Sequence, residues 1–244
     1  MWSVKLTLIV CLKGRNGMVL ASDSRGTFGD PRGVTAQNDN QKKSYGLSKY
    51  VGVLMAGSGE LGAMIMNEIA TDVKNRNLEG ATPIMNAARE ILKRRYDEWF
   101  ARFSLQAIPN IPTPTRPTLV VIIGGYDMDN TGKPLTQKIY SLNCHLDFAP
   151  MLHDYGFALE GVAQYALYLL NRLYAGESVK NLLPLAAYVI TETASQDGKV
   201  GGPVQLMQIT PEEGCKILSS EEINNIIASN SSRSDNLRVS FFKD

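Results

Sequence analysis

Only two histidines occur in this chain, His145 and His153. With only these two, eight positions apart, a His-rich metal centre or a conventional Ser-His-Asp triad is disfavoured. A hydroxyl can still act as a nucleophile without histidine if its own α-amine accepts the proton. That chemistry asks for a Ser, Thr or Cys exposed at a chain start on a strand. It also asks for a nearby cation that favours the deprotonated states, and a carboxylate that holds the cation. Thr7 lies on the first apolar run behind six residues, Asp23 closes the second run in Ala21-Ser22-Asp23-Ser24-Arg25, and Lys43 opens the third. A strand meander would bring these positions together at one sheet end. Each also has an ordinary use: Thr7 as a β-branched strand residue, Asp23 as a turn residue binding local backbone, Lys43 as a solvated strand end.

The elements that must position them are legible in the hydrophobic pattern. Val4 to Leu12 reads as a strand, Arg15-Asn16-Gly17 as an Asn-Gly turn, and Met18 to Ser22 as the returning strand. Arg25 to Gln41 is a loop or a loosely paired hairpin. Lys43 to Leu47 and Tyr50 to Ala56 form a second strand pair. From Gly57 the period becomes helical, with Leu61, Ile65, Ile69 and Val73 on one face through to about Arg76. Thr82-Pro83 opens a second helix whose stripe runs through Ile84, Ala88, Ile91, Leu92, Tyr96 and Trp99. Four prolines from Pro109 to Pro117 form a stiff connector.

Thr118 to Ile123 and Gln137 to Leu142 then read as strands, Glu160 to Tyr174 and Val179 to about Ser195 as helices. Val204 to Ile209 and Cys215 to Leu218 close the strand set, and a short helix starts at Ser220. The Ser/Asn-rich stretch Ala228 to Asn236 is expected to be mobile. Strands and helices come in groups rather than in alternation, which disfavours a parallel βαβ sheet. Two antiparallel sheets packed on each other, with a helix pair outside each, would cover every apolar face. The expected fold class is therefore α+β, a four-layer αββα sandwich.

Composition narrows the function further. Lys+Arg 25 against Asp+Glu 24 leaves no basic field for nucleic acid. Three widely spaced cysteines fit buried thiols in a reducing compartment better than a disulfide framework or a metal site. The apolar run Leu6 to Leu12 is far short of the roughly twenty residues that span a membrane, and Lys13-Gly14-Arg15 follows it in place of a cleavage site. A cytoplasmic protein without cofactor, metal, nucleic-acid or membrane partner is expected. Gly57-Ser58-Gly59-Glu60-Leu61-Gly62 matches G-x-G-x-x-G literally, but a second helix follows where a dinucleotide fold needs a parallel strand. Its N–H groups remain useful, since donors at a helix start can hold an oxyanion.

With these residues in view, the chain resembles the proteasome β-type subunits and their bacterial relatives among the N-terminal nucleophile (Ntn) hydrolases. Thr7-Leu8-Ile9-Val10 is similar to the family's nucleophile strand, Ala21-Ser22-Asp23-Ser24-Arg25 to its acidic turn, and Lys42-Lys43-Ser44-Tyr45-Gly46-Leu47 to its lysine segment. Ala56-Gly57-Ser58-Gly59 is similar to its oxyanion turn, and Asp197-Gly198-Lys199-Val200-Gly201-Gly202 to the acidic, double-glycine segment beside the nucleophile. The resemblance implies a threonine-type amide or peptide hydrolase working through an acyl-enzyme ester on Thr7 Oγ. In that reading the freed α-amine is the base, Lys43 lowers the hydroxyl's pKa and Asp23 orients Lys43. Gly57 N–H holds the oxyanion, and Asp197 supports the N-terminal end of the site.

The resemblance further implies a leader over residues 1–6, a single Ntn hydrolase domain over 7–227 and a C-terminal extension over 228–244. Its partners would be a peptide or protein substrate and further copies of itself, in a ring or stacked array. Leu6 stands where family precursors carry glycine, the loop before Lys43 is longer, Glu160 replaces a serine expected near Gly161, and Val200 replaces one expected after Asp197. Those departures keep a second reading open, a non-catalytic ring or scaffold subunit that retains its leader.

Overall fold

The computed structural model describes residues 7–29, 35–103 and 116–242. The proposed leader and most of the Pro-rich connector lie outside those residues. Three apolar clusters explain the architecture, because each fills one interface between successive layers.

The first sheet has the strand order β10-β1-β2-β11-β12. It contains β1 (Leu8–Gly14), β2 (Gly17–Ser22), β10 (Phe157–Gly161), β11 (Gln205–Thr210) and β12 (Gly214–Ile217). The second is ordered β5-β6-β7-β8-β9, from β5 (Ser44–Ser48), β6 (Val51–Gly57), β7 (Leu119–Met128), β8 (Pro134–Asn143) and β9 (Met151–Leu152). Every pairing among the described residues is antiparallel. The stretch read as a loop or hairpin is a hairpin, β3 (Gly26–Gly29) against β4 (Thr35–Asn38).

Strand β1 shows why its sequence is apolar at every position from Leu8 to Leu12. Leu8, Val10 and Leu12 pack towards the helices of the outer layer, while Ile9 and Cys11 pack against the other sheet. Antiparallel strands usually have one wet face and alternate in polarity. Here both faces are covered, so alternation vanishes. The inter-sheet layer also takes Met18 and Leu20 from β2, Leu54 and Ala56 from β6, and Met207 and Ile209 from β11.

Helices α1 (Gly59–Asn75) and α2 (Ala81–Phe100) cover the second sheet. Ile65, Met66, Ile69 and Val73 form the buried stripe of α1, at the spacing of one helix face. The first turn of α2 is held from a distant strand: Asp127 on β7 accepts from Thr82 N and from Thr82 Oγ1, both at 2.7 Å. Helices α3 (Ala163–Leu173), α4 (Val179–Gln196) and α5 (Ser220–Ser240) lie outside the first sheet. Among the described residues no helix is long and apolar enough to cross a membrane. All three cysteines are unpaired, and burial pushes their thiol pKa values up.

Two expectations need correction. The helix expected from Glu160 starts instead at Ala163, because residues 157–161 form β10 and pair with β1 from Leu12↔Phe157 to Leu8↔Gly161. A five-residue apolar run with one glutamate fits either period, and only pairing decides it. The stretch 228–236, expected to be mobile, is the middle of α5. That helix opens on a capping box, Ser219 Oγ accepting from Glu222 N while the Glu222 carboxylate accepts from Ser219 N. Its serines bond inward, Ser231 Oγ to Ile227 O and Ser232 Oγ to Ala228 O, and Asn230 Nδ2 donates to Pro184 O of α4 at 2.8 Å. The serine hydroxyls are thus satisfied on the helix's own carbonyls, and Asn230 ties the helix to α4. The boundary expected between 227 and 228 falls inside it.

Candidate active site

Thr7 stands at the mouth of β1, 5 % exposed, and is fixed by backbone on both sides. Its carbonyl accepts from Val162 N at 2.7 Å, and the next carbonyl, that of Leu8, accepts from Asp23 N at 3.2 Å. Gly161 makes the first contact possible. It has φ +106°, and a Cβ there would lie 1.8 Å from Thr7 O. A Gly161→Ala chain is therefore expected to lose about 2 kcal/mol or more of stability in urea unfolding, with Thr7 displaced. An unchanged unfolding midpoint would contradict this close approach.

Asp23 follows β2 and is fully buried. Five donors converge on its carboxylate. Oδ1 accepts from Thr7 Oγ1 at 2.5 Å, from Leu8 N at 3.0 Å and from Lys43 Nζ at 2.7 Å. Oδ2 accepts from Arg25 N at 3.2 Å and Gly201 N at 3.1 Å. Such a set satisfies a buried carboxylate in its ionised form.

Lys43 precedes β5 and is 2 % exposed. Its three ammonium protons have three acceptors: Thr7 Oγ1, Asp23 Oδ1 and, at 2.6 Å, Arg25 O. Burial pulls its pKa below the ordinary lysine value, and the adjacent Asp23 carboxylate opposes that pull. Its own backbone is held in place by Gln205 on β11, whose Oε1 accepts from Lys43 N at 3.1 Å and whose Nε2 donates to Gln41 O at 2.7 Å. The Thr7 hydroxyl thus sits between an ammonium that donates to it and a carboxylate that accepts from it. Any negative charge developing on Oγ would be met by the ammonium.

The other two expected residues are placed differently. Gly57 ends β6, two residues beyond Met55, whose N–H donates to Lys43 O at 2.9 Å. It is exposed at that sheet end with φ +116°, and a Cβ there would lie 2.1 Å from Thr118 O. Asp197, by contrast, turns its carboxylate onto its own loop. It caps the end of α4 and accepts from Lys199 N at 2.9 Å. The loop it shapes delivers Gly201 N to Asp23. Both histidines bond elsewhere, His153 Nε2 to Ser141 Oγ at 2.9 Å and His145 Nε2 to Thr118 Oγ1 at 3.3 Å. At the start of α1 the Gln41 side chain lies on Gly59, where a Cβ would fall 1.4 Å from Nε2.

Gln205 and Asp39 had no signal of their own in the sequence. Asp39 lies in a polar run that marks only a turn, and Gln205 occupies a strand position whose partner is 162 residues away.

Residues 5–108, less than half of the chain, match the family model for proteasome subunits. The match is a likeness to proteasome subunits over that part of the chain. It takes in β1 to β6, α1 and α2, and so includes Thr7, Asp23, Lys43 and Gly57. The second half completes the proteasome-type sandwich, contributing β7 to β12 and α3 to α5. No curated protein matches the sequence.

Proposed function

We propose that this chain is a threonine-type amide or peptide hydrolase whose nucleophile, Thr7, is exposed when residues 1–6 are removed. The observation that carries the reading is the buried triangle of Thr7 Oγ1, Lys43 Nζ and Asp23 Oδ1. A buried ion pair is a weak source of stability, since apolar residues of similar volume serve a core as well or better. Chemistry gives it a reason to be there.

In this reading Thr7 Oγ attacks the carbonyl carbon of the scissile amide, and the Oγ–C bond forms. The Oγ proton passes to the freed α-amine and then to the leaving nitrogen as the C–N bond breaks. Water hydrolyses the resulting ester and regenerates the hydroxyl. Lys43 stays charged beside Oγ throughout, Asp23 keeps it there, and Gly57 N–H receives the carbonyl oxygen. Asp197 acts through the loop that carries Gly201.

A homo-oligomeric assembly belongs to the same reading. It is supported by the likeness to proteasome subunits and by Leu167, Tyr168 and Leu173, which α3 leaves exposed. One preparation tests both parts. Denaturing mass spectrometry is expected to show loss of residues 1–6 and a single adduct on Thr7 after treatment with a threonine-directed electrophile. Native mass spectrometry is expected to show multiples of the chain. A persistent full-length mass without adduct would favour the scaffold subunit with its leader retained.

A further inference from the structure

Beside the site lies an ion pair that the proposed chemistry does not use. Arg25 Nε donates to Asp39 Oδ1 at 2.7 Å and Nη2 to Asp39 Oδ2 at 2.8 Å, a two-pronged contact. The remaining corner, Nη1, donates to Gly198 O at 2.9 Å. The guanidinium rests on Gly201, where a Cβ would stand 2.5 Å from Cζ. Ser24 completes the knot, its Oγ donating to Asp39 O at 2.6 Å and its N–H to Gly201 O at 3.1 Å. The pair thereby ties together the turn after β2, the stretch after β4 and the loop after α4.

Its exposure argues against a role in holding the fold. The Arg25 and Asp39 side chains are 20 % and 42 % exposed, and a pair so open to water contributes little to stability. Its connections point inward instead. Both donors to Asp23 Oδ2, Arg25 N and Gly201 N, come from segments that the pair ties. One of the three acceptors of Lys43 is Arg25 O. Arg25 N and Arg25 O belong to the pair itself, and Gly201 N lies three residues along the loop from Gly198 O, which Arg25 holds.

We propose that the Arg25–Asp39 pair is a positioning clamp that sets the geometry of the Thr7–Lys43–Asp23 triangle. The inference rests on Thr7 being the nucleophile. Reactive groups displaced by about an ångström lose on the order of a hundredfold in rate, so a clamp of small energetic weight can have a large kinetic one.

Arg25→Lys, Asp39→Asn and the double variant, made in the full chain, test it. Each single variant is expected to lower the saturating rate of Thr7 acylation by a threonine-directed electrophile about tenfold or more. The concentration for half-saturation should stay within about twofold, and the double variant should lose little more than either single one. Thermal midpoints should stay within a few degrees. Arg25→Lys conserves every formal charge around Lys43, whose charged neighbours are Asp23, Asp39 and Arg25. Its Lys43 titration, followed by carbon NMR at Cε, should move up towards the ordinary lysine value as the side chain is rehydrated. An unmoved titration with a parental acylation rate, or rate losses that follow the midpoints, would overturn the clamp. If the parent chain is not acylated at all, the nucleophile reading fails, and the Lys43 titration alone still decides the clamp.

Discussion

A Thr7→Ala chain is expected to fold like its parent and to lose covalent capture by a threonine-directed electrophile by at least about a thousandfold. The loss follows from chemistry, since Oγ is the atom that forms the bond. Survival of the fold follows from the accounting of partners. Without the hydroxyl, Asp23 still accepts from Leu8, Arg25, Gly201 and Lys43, and Lys43 still donates to Asp23 and Arg25. The hydroxyl makes two hydrogen bonds to charged groups, and losing each costs about 1.5–3 kcal/mol against a domain reserve of about 5–15 kcal/mol. Thr7→Ser keeps Oγ and should retain capture within about tenfold, whereas Thr7→Val keeps the shape and should not be captured. Capture that persists in Thr7→Ala would remove Thr7 from the mechanism.

Asp23→Asn is expected to damage the protein more than Lys43→Met, although both should lose nearly all acylation. The asymmetry comes from how many groups each side chain serves. An amide in place of the Asp23 carboxylate turns an NH₂ towards donors that already fill both oxygens, and it leaves the Lys43 ammonium buried without its counter-charge. Stranding a buried charge costs about 3–5 kcal/mol. Lys43→Met leaves the carboxylate with the Thr7 hydroxyl and three backbone N–H groups, so a smaller loss is expected. Urea unfolding of the two variants should place Asp23→Asn lower; the reverse order would contradict the central place given to Asp23.

Lys43 also gives the protein a pH signature. Burial lowers its folded pKa, so in the window between that value and the ordinary lysine value the folded chain binds fewer protons than the unfolded one. Below the window the charged lysine weighs against folding in full, and within it stability rises with pH. Parent and Lys43→Met should therefore differ in stability by an amount that changes in the parent's favour as pH climbs through that alkaline window. Acylation should run the opposite way and fall there, because the ammonium that meets the Oγ charge is lost.

The runs β1, β2 and β6 were readable as continuous apolar segments bounded by turn residues, and the stripes of α1 and α2 by their helical period. β10 was not, since five residues cannot declare a period and its strand character exists only through β1. The length of α5 was hidden by serines and asparagines whose usual preference is for turns, and whose acceptors here lie on α5 itself and on α4. Within the site, Thr7 stood out by type and by its place on the first predicted strand, Asp23 and Lys43 by type and by their places at strand ends. Asp39, Gln41 and Gln205 did not, because polar residues in loops and at strand ends are common and their partners are distant in sequence.

The near absence of histidine, the strand-borne threonine and the grouping of strands and helices were enough to specify a sandwich and a self-activating nucleophile as the chemistry to seek. Each is a property of composition or of neighbours along the chain. Only the tertiary structure decided that Thr7 Oγ lies between Lys43 and Asp23, that Gly201 N–H reaches back from the far side of α4, and that Asp197 serves its own loop. The first two are contacts across 16 to 178 positions, made by strand register and by a glycine that lets two backbones touch, and no local period records them.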